Sequence, residues 1–129
     1  MEETSPQSTS LAEALAAHEI TLADEIVPQV DAYRALLWKW NEKINLTRHT
    51  TFDKFVTRDL GDTLQLSAQL EPRERVLDIG SGGGVPGLLL AIIRPDLRVA
   101  VCESIAKKAR VLEDIVSRLD LPVKVFPSR

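Results

Sequence analysis

The chain has 129 residues, 44% hydrophobic and 27% charged, with a formal net charge of −3 and one cysteine. That length makes one domain with one modest core. The charge argues against a strongly electrostatic nucleic-acid binder, though not against a local basic patch, and a single cysteine excludes an internal disulfide or a multi-cysteine metal site.

Residues 1–10, MEETSPQSTS, are acidic and polar and read as a disordered tail. They lack the basic start and apolar segment of a signal peptide. No later apolar run approaches the ~20 residues of a membrane span. A cytoplasmic protein with no membrane and no metal is the expectation.

Residues 11–71 read as a helical region. Ser10 is placed to cap a short helix over LAEALAAH. Thr21 opens a second segment, with Asp24 in a capping-box-like position. Ile26, Val30, Tyr33, Leu37, Trp40 and Ile44 follow at steps of three and four, on one helix face. Pro28 predicts a kink or a delayed start. The helix is expected to end near INLT, where Asn45 and Thr47 offer turn chemistry. A third helix is predicted from about Asp53 to Leu70, with Phe52, Val56, Leu60, Leu64 and Ala68 on one side.

Over residues 72–129 the period changes. RVLDIG is a short apolar run entering a glycine turn, as a buried strand does. PGLLLAII reads as a helix opened by Pro86 and closed before Pro95. LRVAVCES predicts a second strand, with Cys102 as a small buried hydrophobe. IAKKARVLEDIVSRL predicts a second helix and VKVFP a third strand. This alternation is half of a doubly wound, Rossmann-like parallel sheet, so the fold class is α/β.

The stretch VLDIGSGGGVPGLLLAI carries two glycine patterns. Gly82, Gly84 and Gly87 make G-x-G-x-x-G, the dinucleotide fingerprint. Asp78, Gly80, Gly82 and Gly84 make D-x-G-x-G-x-G, a loop that suits S-adenosylmethionine. Two residues weigh against a pyrophosphate. The Asp78 carboxylate would repel it but suits the ammonium of a methionine moiety. Pro86 removes a backbone N–H at the helix start, where a pyrophosphate needs donors. Glu103, ending the second strand, can accept from both hydroxyls of a ribose, which both cofactors carry. A nicotinamide-dependent oxidoreductase is therefore disfavoured, and a turn with no ligand is a further alternative.

WNEKINLT (Trp40 to Thr47), LDIGSGGGVPGLLLAIIRPDLRV and ESIAKKARVL together resemble the RsmG (GidB) family of 16S ribosomal RNA methyltransferases. The shared features are W-N-x-x-x-N-L-T and a glycine loop ending in Pro-Gly. The resemblance runs from about Leu11 to Arg129. It implies methyl transfer from S-adenosylmethionine to N7 of a guanine in 16S ribosomal RNA, naked or in the small ribosomal subunit. Guanine N7 has a free lone pair and no proton to remove. Alignment of the reacting atoms can supply most of the catalysis, and no catalytic base is named. By motif position Asp78, Gly80, Gly82, Gly84 and Val85 would line the methionine end, and Glu103, Ser104 and Ile105 the adenosine end.

Arg58, Lys107, Lys108 and Arg129 are the RNA-contact candidates. Arg110 shares the rim with the two lysines, and each of these cations could equally belong to a solvated helix face. The family's R-H-x-x-D-S segment reads RDLGDT here, with Asp59 in place of histidine and Thr63 in place of serine. Arg58 and Asp62 are also spaced to pair across one turn. The family continues past PSR, so the sheet is expected to be truncated to its first three strands. The first strand would then lie at an edge, its apolar side chains losing cover on one side. A non-catalytic S-adenosylmethionine-binding module is the competing reading, and a monomer is expected.

Overall fold

The computed structural model describes residues 7–80 and 82–128. It begins with helix α1 (Leu11–Ala17), α2 (Val27–Asn41) and α3 (Phe52–Lys54). A π-helical turn, Phe55–Leu60, runs straight into α4 (Gly61–Ser67). Then come β1 (Arg75–Ile79), α5 (Gly87–Ile93), β2 (Arg98–Cys102), α6 (Ala106–Leu119) and β3 (Lys124–Phe126). The expected alternation over the second half is present. The strands form a parallel sheet in the order β1-β2-β3. Val76 pairs with Val99 and Asp78 with Val101, and Val101 in turn pairs with Val125.

Ser10 caps α1 as expected, its hydroxyl accepting from the Glu13 N–H at 3.1 Å. The first six residues of the expected tail lie outside the described residues. Ser8 donates from its N–H and its hydroxyl to Asp53, at 2.9 and 2.8 Å. The Thr21–Asp24 box does not open α2. That helix starts at Val27 with no side-chain cap and with Pro28 in its first turn, so the proline delays the start rather than kinking the helix. It also ends at Asn41, short of Ile44.

The third predicted helix forms, with a π-helical turn inside it. The inward stripe becomes Phe55, Val56, Asp59, Leu60 and Thr63, while Ala68 is exposed. Asp59 lies three residues after Val56 and four before Thr63, so 3.6-residue spacing itself puts it on this stripe, where an apolar pattern passes over a carboxylate.

Parallel connections are right-handed, so two successive crossovers in the same direction place α5 and α6 on one face of the sheet. Alpha-helix α2 packs across both of them. Leu88, Leu89, Leu90, Val101, Leu112 and Ile115 fill that layer and are fully buried. The opposite face is open: Leu77 is 56% and Ile79 70% exposed, the loss of cover expected for the edge strand. Cys102 is buried, its thiol donating to the Ser128 carbonyl. No helix among the described residues is long and apolar enough to cross a membrane.

One polar bond ties the helical part to α6. The Trp40 indole N–H donates to Asp114 Oδ2 at 2.9 Å, and this bond, more than the nearby Arg118, holds the Asp114 carboxyl below its usual range. Trp40→Phe should cost about 1 kcal/mol in urea denaturation, the ordinary net worth of a hydrogen bond. No loss would mean that solvent replaces the indole without cost.

Candidate functional site

The loop between β1 and α5 sits at the C-terminal ends of the strands, where open α/β sheets place their ligands. The Gly80 N–H donates to the Cys102 carbonyl at 2.8 Å, extending the sheet by one residue before the loop turns away. Gly80, Gly82 and Gly84 all have positive φ, at 76°, 60° and 91°. A methyl group added at Gly80 or Gly82 would meet nothing within 4 Å, so this rim of the loop faces open space. At Gly84 it would lie 2.8 Å from Leu88 Cδ1 and 3.2 Å from Leu112 Cδ2. The loop therefore has one face toward solvent and one face seated on the core.

Two carboxylates hold this shape. Asp78 Oδ2 accepts from the Gly87 N–H at 3.0 Å, tying the end of β1 to the start of α5. A Cβ at Gly87 would lie 2.8 Å from that oxygen and 2.6 Å from Val101 Cγ1, so only glycine fits there. Glu103 is 4% exposed. Its Oε1 accepts from the Gly82 N–H and its Oε2 from the Ile105 N–H, both at 2.9 Å. One residue thus joins the glycine loop to the N-terminus of α6. A carboxylate offers about four lone-pair positions, so these two bonds leave acceptor capacity for a ribose. Val85 is half-buried, while Ser104 and Ile105 are exposed beside Glu103.

The helical part supports the loop from below. Tyr33 is fully buried and its hydroxyl donates to the Gly83 carbonyl. Burial, with Asp59 and Asp78 nearby, raises its pKa well above the ordinary tyrosine value. It is therefore a neutral donor. Leu37 Cδ1 and the Leu46 carbonyl would lie 3.0 and 3.4 Å from a Cβ at Gly83. Leu46 is held by Asn41, whose Oδ1 accepts from the N–H groups of Leu46 and Thr47 at 2.7 and 3.0 Å. The W-N-x-x-x-N-L-T stretch thus has a structural reading: Trp40 anchors α2 to α6, and Asn41 folds Leu46 against the glycine loop. The expected turn chemistry at Asn45 is carried by Asn41 instead. Thr47 contributes as expected, its Oγ1 accepting from the His49 N–H at 3.0 Å.

Beside the loop is a cavity of about 370 Å³, lined by Leu46, Thr47, Arg48, His49, Asp59, Gly83 and Val85 among others. His49 Nδ1 lies 2.6 Å from Asp59 Oδ1. Burial raises the Asp59 pKa, and the hydrogen bond from His49 opposes that rise. Tyr33, Asn41 and His49 had no sequence signal as site residues, because only tertiary packing brings them to the loop. A larger concavity, about 800 Å³, lies at the other end of the strands around Arg75, Pro95 and Arg98, away from the loop.

The basic candidates are not gathered into one cluster. Arg58 is exposed on the π-helical turn, and no ion pair with Asp62 forms among the described residues. Lys107 is exposed and Lys108 half-buried at the start of α6, with Arg110 exposed further along. Arg129 lies outside the described residues. Among the described residues no group of three or more His, Cys, Asp or Glu side chains could hold a metal ion.

Proteins named ribosomal RNA small subunit methyltransferase G are similar over most of the chain. The one from Rhodopirellula baltica is 51% identical over 116 residues, 90% of this chain and 50% of the relative. The one from Chromobacterium violaceum is 41% identical over 123 residues, 95% of this chain and 59% of the relative. An Anaeromyxobacter protein is 38% identical over 120 residues, 93% of this chain and 56% of the relative. The chain spans about half the length of these curated relatives. The GidB family model, described as rRNA small subunit methyltransferase G, matches residues 26–129, and the chain belongs to that family.

Proposed function

We propose that this chain carries the cofactor-binding part of an S-adenosylmethionine-dependent methyltransferase acting on guanine N7 of 16S ribosomal RNA in the cytoplasm. Residues 72–129 would hold the cofactor, and residues 11–71 would support its loop and face the RNA. The observation that carries the reading is the open rim at Gly80 and Gly82, beside a buried carboxylate at the end of β2. The donor set fits the cofactor. Gly80, Gly82, Gly84 and Val85 would take the methionine end, with Asp78 as counter-charge to its ammonium. Glu103, Ser104 and Ile105 would take the adenosine end. When bound, the cofactor supplies a methyl group on a cationic sulfur.

This chain's own residues would orient the cofactor and the base; none needs to remove a proton, because N7 carries a lone pair. Arg58, Lys107, Lys108 and Arg129 would contact RNA phosphates. The open sheet face, with Leu77 and Ile79 exposed, favours a second reading, in which these 129 residues alone bind the cofactor without catalysing transfer.

Thermal melting separates the readings of the loop. S-adenosylhomocysteine at 100 times its Kd should stabilise the fold by about 2.7 kcal/mol, and NADH should not. Stabilisation by NADH alone would overturn the cofactor assignment. Transfer of a labelled methyl group to 16S ribosomal RNA by this chain would eliminate the non-catalytic reading. Its absence, with S-adenosylhomocysteine bound, would favour that reading.

A further inference from the structure

We propose that His49 and Asp59 form a base-reading pair, and that the cavity between them and the glycine loop receives a guanine through its N1–H and amino donors. The inference rests on the methyl-transfer reading for the presence of a base, but not for which residues read it.

Three observations carry it. The first is the placement of Asp59, a carboxylate on the inward stripe of a largely apolar helix face and within the π-helical turn Phe55–Leu60. Such turns are often placed at functional sites. The second is the cost of that placement. Asp59 is 6% exposed, and its Oδ2 is buried with no hydrogen-bond partner among the described residues. Buried polar atoms are nearly always paired, so an orphaned carboxylate oxygen needs a reason beyond packing. The third is the orientation of His49. Its Nδ1 is 2.6 Å from Asp59 Oδ1, and its side chain is 37% exposed. A carboxylate at Nδ1 fixes the neutral ring's tautomer with the proton there, leaving Nε2 as an acceptor. Both residues share the cavity with Gly83 and Val85 of the loop. Its volume, about 370 Å³, lies within the rough 300–1,000 Å³ range of small-molecule sites.

An acceptor at that position selects a donor edge. Guanine presents N1–H and an exocyclic amine there, on a different edge from N7. Adenine presents a single donor there, its N6 amine, beside an unprotonated N1 whose lone pair would face the imidazole's if the base were seated as guanine is. In the transfer itself the sulfur–methyl bond breaks and the N7–methyl bond forms. The positive charge passes from sulfur to the base, and no proton moves. A carboxylate behind the imidazole favours the base as it becomes cationic.

The chain contains two histidines, His18 and His49, so each ring can be followed separately by NMR. His18 pairs with Asp53 beside α1 and serves as the internal control. Titration with guanosine monophosphate and adenosine monophosphate cancels the phosphate and sugar contributions. Guanosine monophosphate should shift the His49 ring signals, leave those of His18 in place, and bind about tenfold tighter than the adenine nucleotide. His49→Phe keeps a ring without Nε2 and should bring the ratio close to one. If that variant does not fold, the wild-type ratio and the His49-against-His18 shifts decide alone. Equal affinities, or no shift at His49, overturn the pair. S-adenosylhomocysteine binding to the wild type is measured separately. A guanine preference without it removes the cofactor reading and keeps the pair; the reverse removes the pair and keeps the cofactor reading.

Discussion

Gly84→Ala should lower stability by about 3 kcal/mol, while Gly82→Ala should cost only about 1 kcal/mol, although both residues have positive φ. The left-handed backbone penalty, roughly 1–2 kcal/mol for a residue with a Cβ, is common to both. What separates them is room. At Gly84 the new methyl meets Leu88 at 2.8 Å and Leu112 at 3.2 Å, and both leucines are fully buried. Overpacking of that kind adds about 1–3 kcal/mol. At Gly82 the methyl points into open space. In a chain of 129 residues, 3 kcal/mol corresponds to a fall in Tm of roughly 10 °C. Calorimetry of the two variants checks the contrast. Equal losses would show that backbone strain, not the seat on Leu88 and Leu112, governs the loop. Binding should follow the opposite order among folded variants: Gly82→Ala places its methyl on the rim assigned to the cofactor, and it should bind S-adenosylhomocysteine at least about tenfold more weakly.

Glu103→Ala should have the second large effect, and on two readouts at once. The carboxylate accepts from Gly82 and Ile105, so its removal leaves two N–H groups without their acceptor. Bonds to a charged acceptor are worth about 1.5–3 kcal/mol each, and water entering the vacated space returns part of that. A net loss of about 2 kcal/mol in urea denaturation is expected. S-adenosylhomocysteine affinity should fall at least about tenfold, because the loop and the start of α6 lose their shared tie as well as the ribose acceptor. Glu103→Gln should fall between. Its amide keeps one acceptor oxygen but turns an NH₂ toward the other N–H. A variant that loses stability but binds normally would make Glu103 a structural tie and nothing more.

These two residues show how local patterning and packing divide the information. The strand–helix alternation, the glycine loop and the acidic residue after β2 were legible because each rests on short-range chemistry. Apolar runs, a proline at a helix start and the residues that permit positive φ all act within a few positions. The family resemblance was legible for the same reason, since its motifs are contiguous.

Helix boundaries were less so. Thr21 and Asp24 have capping chemistry, yet Pro28 and the packing of Val30, Tyr33 and Leu37 on the core let α2 start only at Val27. The inward face of the third helix was readable only in part. Val56 and Leu60 fit the apolar pattern and are buried, while Asp59 and Thr63 share their face but are polar, and the π-helical turn left no signal in the pattern.

By itself, then, the sequence determined the α/β class, the strand order's parallel logic and the glycine loop between β1 and α5. These follow from periodicity and backbone permissiveness, which are properties of neighbours along the chain. Only the tertiary structure decided what stands around that loop. Tyr33 reaches Gly83 across 50 positions, and Trp40 reaches Asp114 across 74. Asp59 meets His49 because the packed core brings the segment after α2 against the inward face of the third helix. Contacts at such separations depend on burial and on which polar groups must find partners away from water, and no local pattern encodes them.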